Sequence, residues 1–341
     1  MTTEPTDPTS LPPLAYELTR HPEGQKTAAL VYNPVAGSGL TKKHVPVEEV
    51  RDRFIANGWH VGLVPTRCAL DGTEAAKFAM THGADVVVAM GGDGTVNEVV
   101  QALVGTDTPL GIVPAGTINV LAQELNLPLD PLAAVDVITS EQVRRIDLGR
   151  ANGRYFTMMI GLGYDAESTN SIIPSLKAWT GPVAYYVAGV QAFAKHKSVR
   201  ATMTIHDGKK TRKLRRLVYL MVVSNVGLYA GGVLKFTPEA SFTDGLFDVC
   251  LIRSRRWYRA LLHVVLSFMG GLRTVSDVEF FQVKSIKMTT GRPFPYQLDG
   301  DPAGTTPVTI EMVPRALAVV APPPPVASPE PFVDQGPRTS D

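Results

Sequence analysis

Two periodicities divide the chain. In its first part, short apolar runs at Thr27 to Tyr32, Trp59 to Val64 and Gly83 to Met90 read as strands. Between them, Glu48 to Asn57 and Asp71 to His82 have helical spacing, with Val50, Phe54 and Ile55 on the inward face of the first. Leu110 to Val113 and Val143 to Gly149 are further short strands. This alternation predicts βαβ units, a parallel sheet with helices on both faces. From Tyr155 the pattern changes. YFTMMIGLG, SVRATMTIHDG, RRLVYLMVVSN, FDVCLI and FFQVKSIKMTT follow one another closely and predict a mainly antiparallel second domain starting near residue 150. The expected fold class is α/β, with an N-terminal α/β domain and a C-terminal β-rich one. Two helices interrupt the second part. Ala178 to Lys195 is one. The other is Trp257 to Met269, flanked by Arg253, Arg255, Arg256 and Arg273, which reads either as a packing helix or as a face that meets lipid. Lys209 to Arg216 holds six basic residues between strands and reads as a solvated hairpin loop.

The stretch VVVAMGGDGTVNE, Val86 to Glu98, organises the first part. A buried strand runs into Gly91, Gly92 and Gly94 around Asp93, and a helix capped by Thr95 follows. Strand, glycine turn and helix N-terminus make a phosphate cradle at the sheet edge where open α/β sheets bind ligands. The dinucleotide fingerprint GxGxxG and the Walker sequence are both absent. A second such turn, PAGTINVLAQEL, places Gly116, Thr117 and Asn119 before another helix. A third loop, NPVAGSG at Asn33 to Gly39, includes Gly37 and is followed by Lys42 and Lys43. Loops of this kind converging on one edge predict a bound nucleotide.

Composition narrows the picture. The 341 residues allow two ordinary domains, and a hydrophobic content of 44% can fill their cores. A formal net charge of +1 gives no reason to expect nucleic acid as partner. Cys68 and Cys250 form no ligand-spaced pair, which fits buried thiols in a reducing interior. Residues 1–24 read as a flexible arm without signal-peptide character, and the Pro-rich stretch from Ala321 as extended. No run of 18 uncharged apolar residues occurs.

Three later turns carry carboxylates: GLGYDAE with Asp165, TDGLFDV with Asp244 and Asp248, and YQLDGDP with Asp299 and Asp301. Each alone is an ordinary turn. Together with NPVAGSG, GGDGTVNEVV and PAGTINVLAQEL, in this order, they resemble the diacylglycerol kinase catalytic-domain family. That broad group of soluble bacterial lipid kinases is related to sphingosine and ceramide kinases. The resemblance covers roughly residues 27 to 322. It implies a nucleotide-binding α/β domain, 25–150, completed by a late return of the chain at 306–322. A β-sandwich-like lipid-acceptor domain would span 151–305, followed by a Pro-rich tail at 323–341.

The resemblance also implies function: transfer of the ATP γ-phosphoryl group to a lipid alcohol with Mg2+. Gly92, Gly94, Thr95, Asn33, Gly37, Gly116, Thr117 and Asn119 would contact nucleotide. Asp93 and Asp147 would belong to the magnesium network, Asp244 to an accessory metal region, and Asp301 would be the base for the acceptor hydroxyl. A cytoplasmic protein visiting the inner membrane face, as a homodimer and without nucleic acid, is the corresponding expectation. Two positions depart from the family pattern. Val120 stands where bacterial members have an acidic residue, and Asp301 stands where the familiar block has glutamate. The rival readings are a lipid-binding protein that lost transfer and an NAD kinase, which shares GGDGT but has a second Asn-Glu pair absent here.

Overall fold

The structure, a computed structural model, describes residues 24–34, 45–68, 70–163, 197–227, 236–237, 239–253, 259, 262–263, 266 and 271–323. Gly37, Lys42, Lys43, Asp165, the helix expected at 178–195 and most of both tails lie outside the described residues. Of Trp257 to Met269, the residues Arg259, Leu262, His263 and Leu266 are described and are helical. His263 is buried and meets Asp277, and Leu266 packs on the core, so this side of the helix covers protein.

The first half alternates as its periodicity predicts: β1 (Thr27–Tyr32), α1 (Val47–Ala56), β2 (His60–Pro65), α2 (Asp71–Thr81), β3 (Val86–Gly91), α3 (Asp93–Leu103) and β4 (Leu110–Pro114). The strands are parallel in the order β2-β1-β3-β4. Alternate residues of the central strands face opposite helix layers. Ala28, Leu30, Val86 and Val88 pack with Val50 and Phe54 of α1. Ala29, Val31, Val87 and Ala89 pack with Ala75, Ala76 and Ala79 of α2 and with Val96, Val99 and Val100 of α3. Burial on both faces explains why β3 reads as an unbroken apolar run.

α4 is short, Val120–Glu124. It is followed by α5 (Pro131–Thr139), which apolar spacing alone did not reveal. Its start is written in Asp130 and Pro131: the Asp130 carboxylate accepts from the Ala133 N–H, and proline occupies the first turn.

The second half is a sandwich of two sheets. β5 (Val143–Ala151), β6 (Arg154–Phe156), β8 (Val199–His206), β9 (Thr211–Val218), β13 (Ser285–Thr290) and β16 (Val308–Val320) extend the first sheet. A second sheet is ordered β12-β11-β10-β7-β14-β15. Its strands in chain order are β7 (Met159–Gly163), β10 (Leu220–Ser224), β11 (Phe247–Ile252), β12 (Val278–Val283), β14 (Pro295–Leu298) and β15 (Asp301–Thr305). Met203, Ile205, Ile286 and Met288 meet Val223, Val249, Leu251 and Phe281 between the sheets. β16 joins the two halves: it pairs with β13 at its start and with β4 at Val319. The structure corrects the reading of the basic run. Thr211–Val218 is an edge strand rather than a loop, because its alternate residues Leu214, Arg216 and Val218 turn toward the sandwich.

One buried carboxylate in this sandwich makes stability depend on pH. Asp248 on β11 is 1% exposed. One of its oxygens accepts from Gln282 at 3.3 Å and the other has no hydrogen-bond partner among the described residues. Burial, and next the Asp244 carboxylate, push its pKa up to about 7. A folded-state pKa above the unfolded value means the folded state keeps the proton longer. Its destabilising effect is therefore absent below about pH 4 and grows as pH rises to about 7. Asp248→Asn is expected to be near-neutral at pH 4 and to stabilise by roughly 2–4 kcal/mol at pH 8. Denaturant melts in chelator test this, and an equal effect at both pH values would sink it.

Candidate functional site

β1, β3 and β4 are neighbours in the sheet, so the loops leaving their C-terminal ends, at Asn33, Gly92 and Ala115, share one edge. Two of them touch backbone to backbone. A Cβ on Gly116 would lie 2.5 Å from Gly92 Cα and 2.7 Å from Asn119 Oδ1. Only glycine permits that approach. Gly91 is constrained likewise by Thr95, whose Oγ1 lies 2.5 Å from where a Cβ would stand, whereas Gly94 faces open space. The first N–H groups of α3 have no carbonyl a turn before them, so beside the exposed Gly94 they form the donor surface of the cradle.

Asp93 opens α3, and its two carboxylate oxygens accept from the Val120 and Leu121 N–H groups, each at 3.2 Å. It thereby caps α4 from another loop, because the α4 N-cap residue, Asn119, has turned inward. Asn119 adopts φ +55°, accepts from the Gly116 N–H and donates to the Gly116 carbonyl, both at 3.0 Å. The described contacts of Asn119 thus close its own turn, and Thr117 and Ile118 are the exposed members of that loop.

From the second half, the Asp299–Gly300 turn joins β14 to β15. Both residues have positive φ, +50° and +97°, as a two-residue hairpin turn of this type requires. The Asp299 carboxylate accepts five hydrogen bonds. They come from the Thr157 N–H and hydroxyl, the Met158 and Met159 N–H groups, and the Asn97 amide at 2.7 Å. Burial pushes its pKa up, while the N–H donors of Thr157, Met159 and Met158 pull it back. Asn97 belongs to the glycine-rich stretch on α3, so this carboxylate latches the hairpin to that helix. Asp301, two residues on, is exposed, with Arg154 at 3.7 Å.

Asp147 sits deeper, 2% exposed. One oxygen accepts from the Gly245 N–H at 2.8 Å and the other from the Arg315 N–H at 2.7 Å, where β16 bulges. Asp244 adjoins it, its pKa raised first by burial, while the Leu246 N–H opposes the rise and the Asp147 carboxylate adds to it. Asn225 joins this region to the latch by donating to the carbonyls of Asp147 and Thr157 at 2.7 and 3.1 Å. The residues named from sequence therefore fall into three groups. Asn33, Gly92, Asp93, Gly94, Thr95, Gly116, Thr117 and Asn119 share the sheet edge, Asp301 lies on the hairpin latched to it, and Asp147 with Asp244 stands behind. Asn97, Arg154 and Asn225 escaped the sequence reading. A polar residue inside the apolar stripe of Val96, Val99 and Val100 was the signal for Asn97.

The donor sets fit hard-cation and nucleotide chemistry. Among the described residues no three His, Cys, Asp or Glu side chains form a ready-made cage. Mg2+, which keeps its waters and needs one or two carboxylates beside phosphate, does not require one. The Asp147 charge raises the pKa of Asp244, and the Asp244 charge that of Asp248, a repulsion that a divalent cation would relieve.

Two substitutions test the architecture. Gly116→Ala is expected to abolish nucleotide binding, measured by calorimetry, because the Gly92 backbone cannot retreat. Asn97→Ala is expected to cost about 1–2 kcal/mol of stability and to lower kcat with little change in nucleotide affinity. Unchanged kcat would show that the latch does not position the hairpin for turnover.

Comparison with known proteins matches both halves of the chain. Residues 27–151 match the family model described as the diacylglycerol kinase catalytic domain, and residues 158–321 that of the YegS C-terminal NAD kinase beta sandwich-like domain. A diacylglycerol kinase of Bacillus subtilis is 30% identical over 300 residues, covering 87% of this chain and 97% of its own. The diacylglycerol kinase of Staphylococcus haemolyticus is 28% identical, covering 87% and 89%. A solved diacylglycerol kinase structure from Bacillus anthracis superposes with a TM-score of 0.68 at 22% identity, covering 89% and 99%, a likeness of fold. The chain belongs to the diacylglycerol kinase family of lipid kinases.

Proposed function

We propose that this protein transfers the γ-phosphoryl group of ATP to the hydroxyl of a lipid alcohol such as diacylglycerol or a sphingoid-like alcohol, in a Mg2+-dependent reaction. The relatives named diacylglycerol kinase support diacylglycerol as the first acceptor to try. The observation that carries the reading is the latch: the Asn97–Asp299 hydrogen bond ties the helix of the phosphate cradle to the hairpin bearing Asp301.

In this reading the N–H groups at the start of α3 and the glycine backbone at Gly92, Gly94 and Gly116 hold the nucleotide phosphates, with Thr95, Thr117 and Asn33 at the rim. Asp93 keeps the second glycine turn in register by capping α4. When bound, Mg2+ would offset charge on the phosphoryl oxygens; Asp93 and Asp147 would hold it through its retained waters, and Asp244 would belong to an accessory metal region. The Asp301 carboxylate takes the proton from the acceptor hydroxyl as its oxygen bonds to the γ-phosphorus. The bond from that phosphorus to the β-phosphate oxygen breaks, and ADP leaves. Positioning supplies most of the rate in such transfers. Arg154 orients the Asp301 carboxylate. Because aspartate reaches one methylene less far than glutamate, the acceptor hydroxyl must approach the hairpin more closely. Val120 follows from the same geometry: its N–H is bound to Asp93 and its side chain is buried, so the α4 start is built by packing rather than by a second carboxylate.

The test is transfer from γ-labelled ATP to detergent-dispersed lipid alcohols with Mg2+. Asp301→Asn is expected to lower kcat by about a hundredfold or more while leaving ATP affinity unchanged, and Asp301→Glu to retain turnover. Asp93→Asn sets an amide N–H against one of the two α4 N–H groups and is expected to remove most turnover while leaving the chain folded, at a cost of about 1–3 kcal/mol in stability. Full activity of Asp301→Asn would remove that residue from the mechanism. Preserved lipid binding without transfer to any acceptor would overturn the kinase reading for this chain.

A further inference from the structure

The face of the first sheet that turns away from the sandwich carries a charge pattern that the phosphoryl-transfer site does not use. Residues opposed across strands share a face. One row runs Thr309, Lys287, Thr204, Lys213 across β16, β13, β8 and β9, the next runs Thr289, Thr202, Arg215, and a third pairs Arg200 with Leu217. Arg200, Lys213, Arg215 and Lys287 are all exposed, and none has an ion-pair partner among the described residues. The carboxylate on this face is Glu311, already paired with Arg150 at 2.8 Å. The alternate residues Met203, Ile205, Ile286 and Met288 form the sandwich core, which fixes which side chains point outward.

Basic residues on an edge strand have an ordinary explanation, protection against edge-to-edge pairing. That accounts for Lys213 and Arg215 on β9. It does not account for Arg200 and Lys287, since β8 and β13 are paired on both sides. Nor does overall charge, because the chain carries only +1.

We propose that this threonine-rich, cationic sheet face is the docking surface for an anionic lipid bilayer. The face from β9 to β16 offers no Phe, Tyr or Trp to stack a nucleobase, and its apolar member, Leu217, is no anchor for a protein partner. Dispersed point charges above hydroxyls suit phosphate headgroups, which attract clustered Lys and Arg without a pocket. The same sheet leads to the acceptor site. β5 and β6 continue it, and β6 carries Arg154 beside Asp301. The choice of a lipid surface rests on the kinase reading, whereas the charged face stands on its own geometry.

The experiment is cosedimentation of the full chain with phosphatidylcholine vesicles, with and without phosphatidylglycerol, across a salt series. Wild type is expected to bind the anionic vesicles and to be released by salt. The combined variant Arg200→Gln, Lys213→Gln, Arg215→Gln and Lys287→Gln is expected to bind at least about tenfold more weakly. It should melt as wild type and keep full transfer to a short-chain acceptor dispersed as monomer. A variant with the same loss of charge elsewhere, Lys26→Gln, Arg51→Gln, Lys77→Gln and Arg145→Gln, is expected to bind as wild type. If the fourfold variant does not fold, the pair Arg200→Gln with Lys287→Gln must show a partial loss. Equal loss in both fourfold variants, undiminished binding by the first, or displacement from vesicles by DNA at matched charge overturns the proposal. Vesicle binding without transfer to any lipid alcohol would count against the kinase reading and leave the docking face standing.

Discussion

A half-buried carboxylate with five donors holds the two halves of this protein in register. Asp299 gathers the N–H groups of three consecutive residues, a threonine hydroxyl and the Asn97 amide. Leaving any of those donors buried and unpaired costs about 1–3 kcal/mol, so the hairpin, the β6–β7 turn and α3 have one well-satisfied arrangement. Everything placed on those elements inherits its position. The cradle at the start of α3 lies one turn before Asn97, and Asp301 lies two residues after Asp299.

The same logic operates at shorter range between the two glycine turns. Gly92 and Gly116 approach too closely for any Cβ, and Asp93 reaches across to cap α4 because Asn119 has turned inward to close its own loop. A loop-to-loop cap makes each turn depend on the other. Behind them, Asp147 plays the equivalent part for the β16 bulge and the Gly245 turn, and Asn225 connects the two networks through backbone carbonyls. Carboxylates that look catalytic in a motif are here also the pins of the scaffold. Substitutions at Asp93 or Asp147 must therefore be compared by melting as well as by rate.

Much of this was legible in order along the chain. Two-face burial makes β1 and β3 continuous apolar runs, and helical spacing marks α1 and α2. The Asp-Gly pair at 299–300 announces a two-residue hairpin. What escaped had local reasons. α5 hid because PLAAVDVIT is apolar on most sides, and its start signal is the capping pair Asp130–Pro131 rather than a period. The basic run at 209–216 looked like a loop because an edge strand with one solvated face has the composition of one.

By itself the sequence determined the fold class, the glycine turns and the family, because periodicity, positive-φ turns and motif order are local properties of a chain. The pairing of Asn97 with Asp299, of Asp93 with the α4 N–H groups and of Lys287 with its cationic neighbours was decided only by tertiary structure. Those partners lie on different elements, and Asn97 and Asp299 are 202 residues apart. Nothing local specifies a hydrogen bond over that separation. It forms because the packed halves bring the buried Asn97 amide against a carboxylate that the Thr157, Met158 and Met159 donors already hold in place, and the amide would otherwise be buried unpaired.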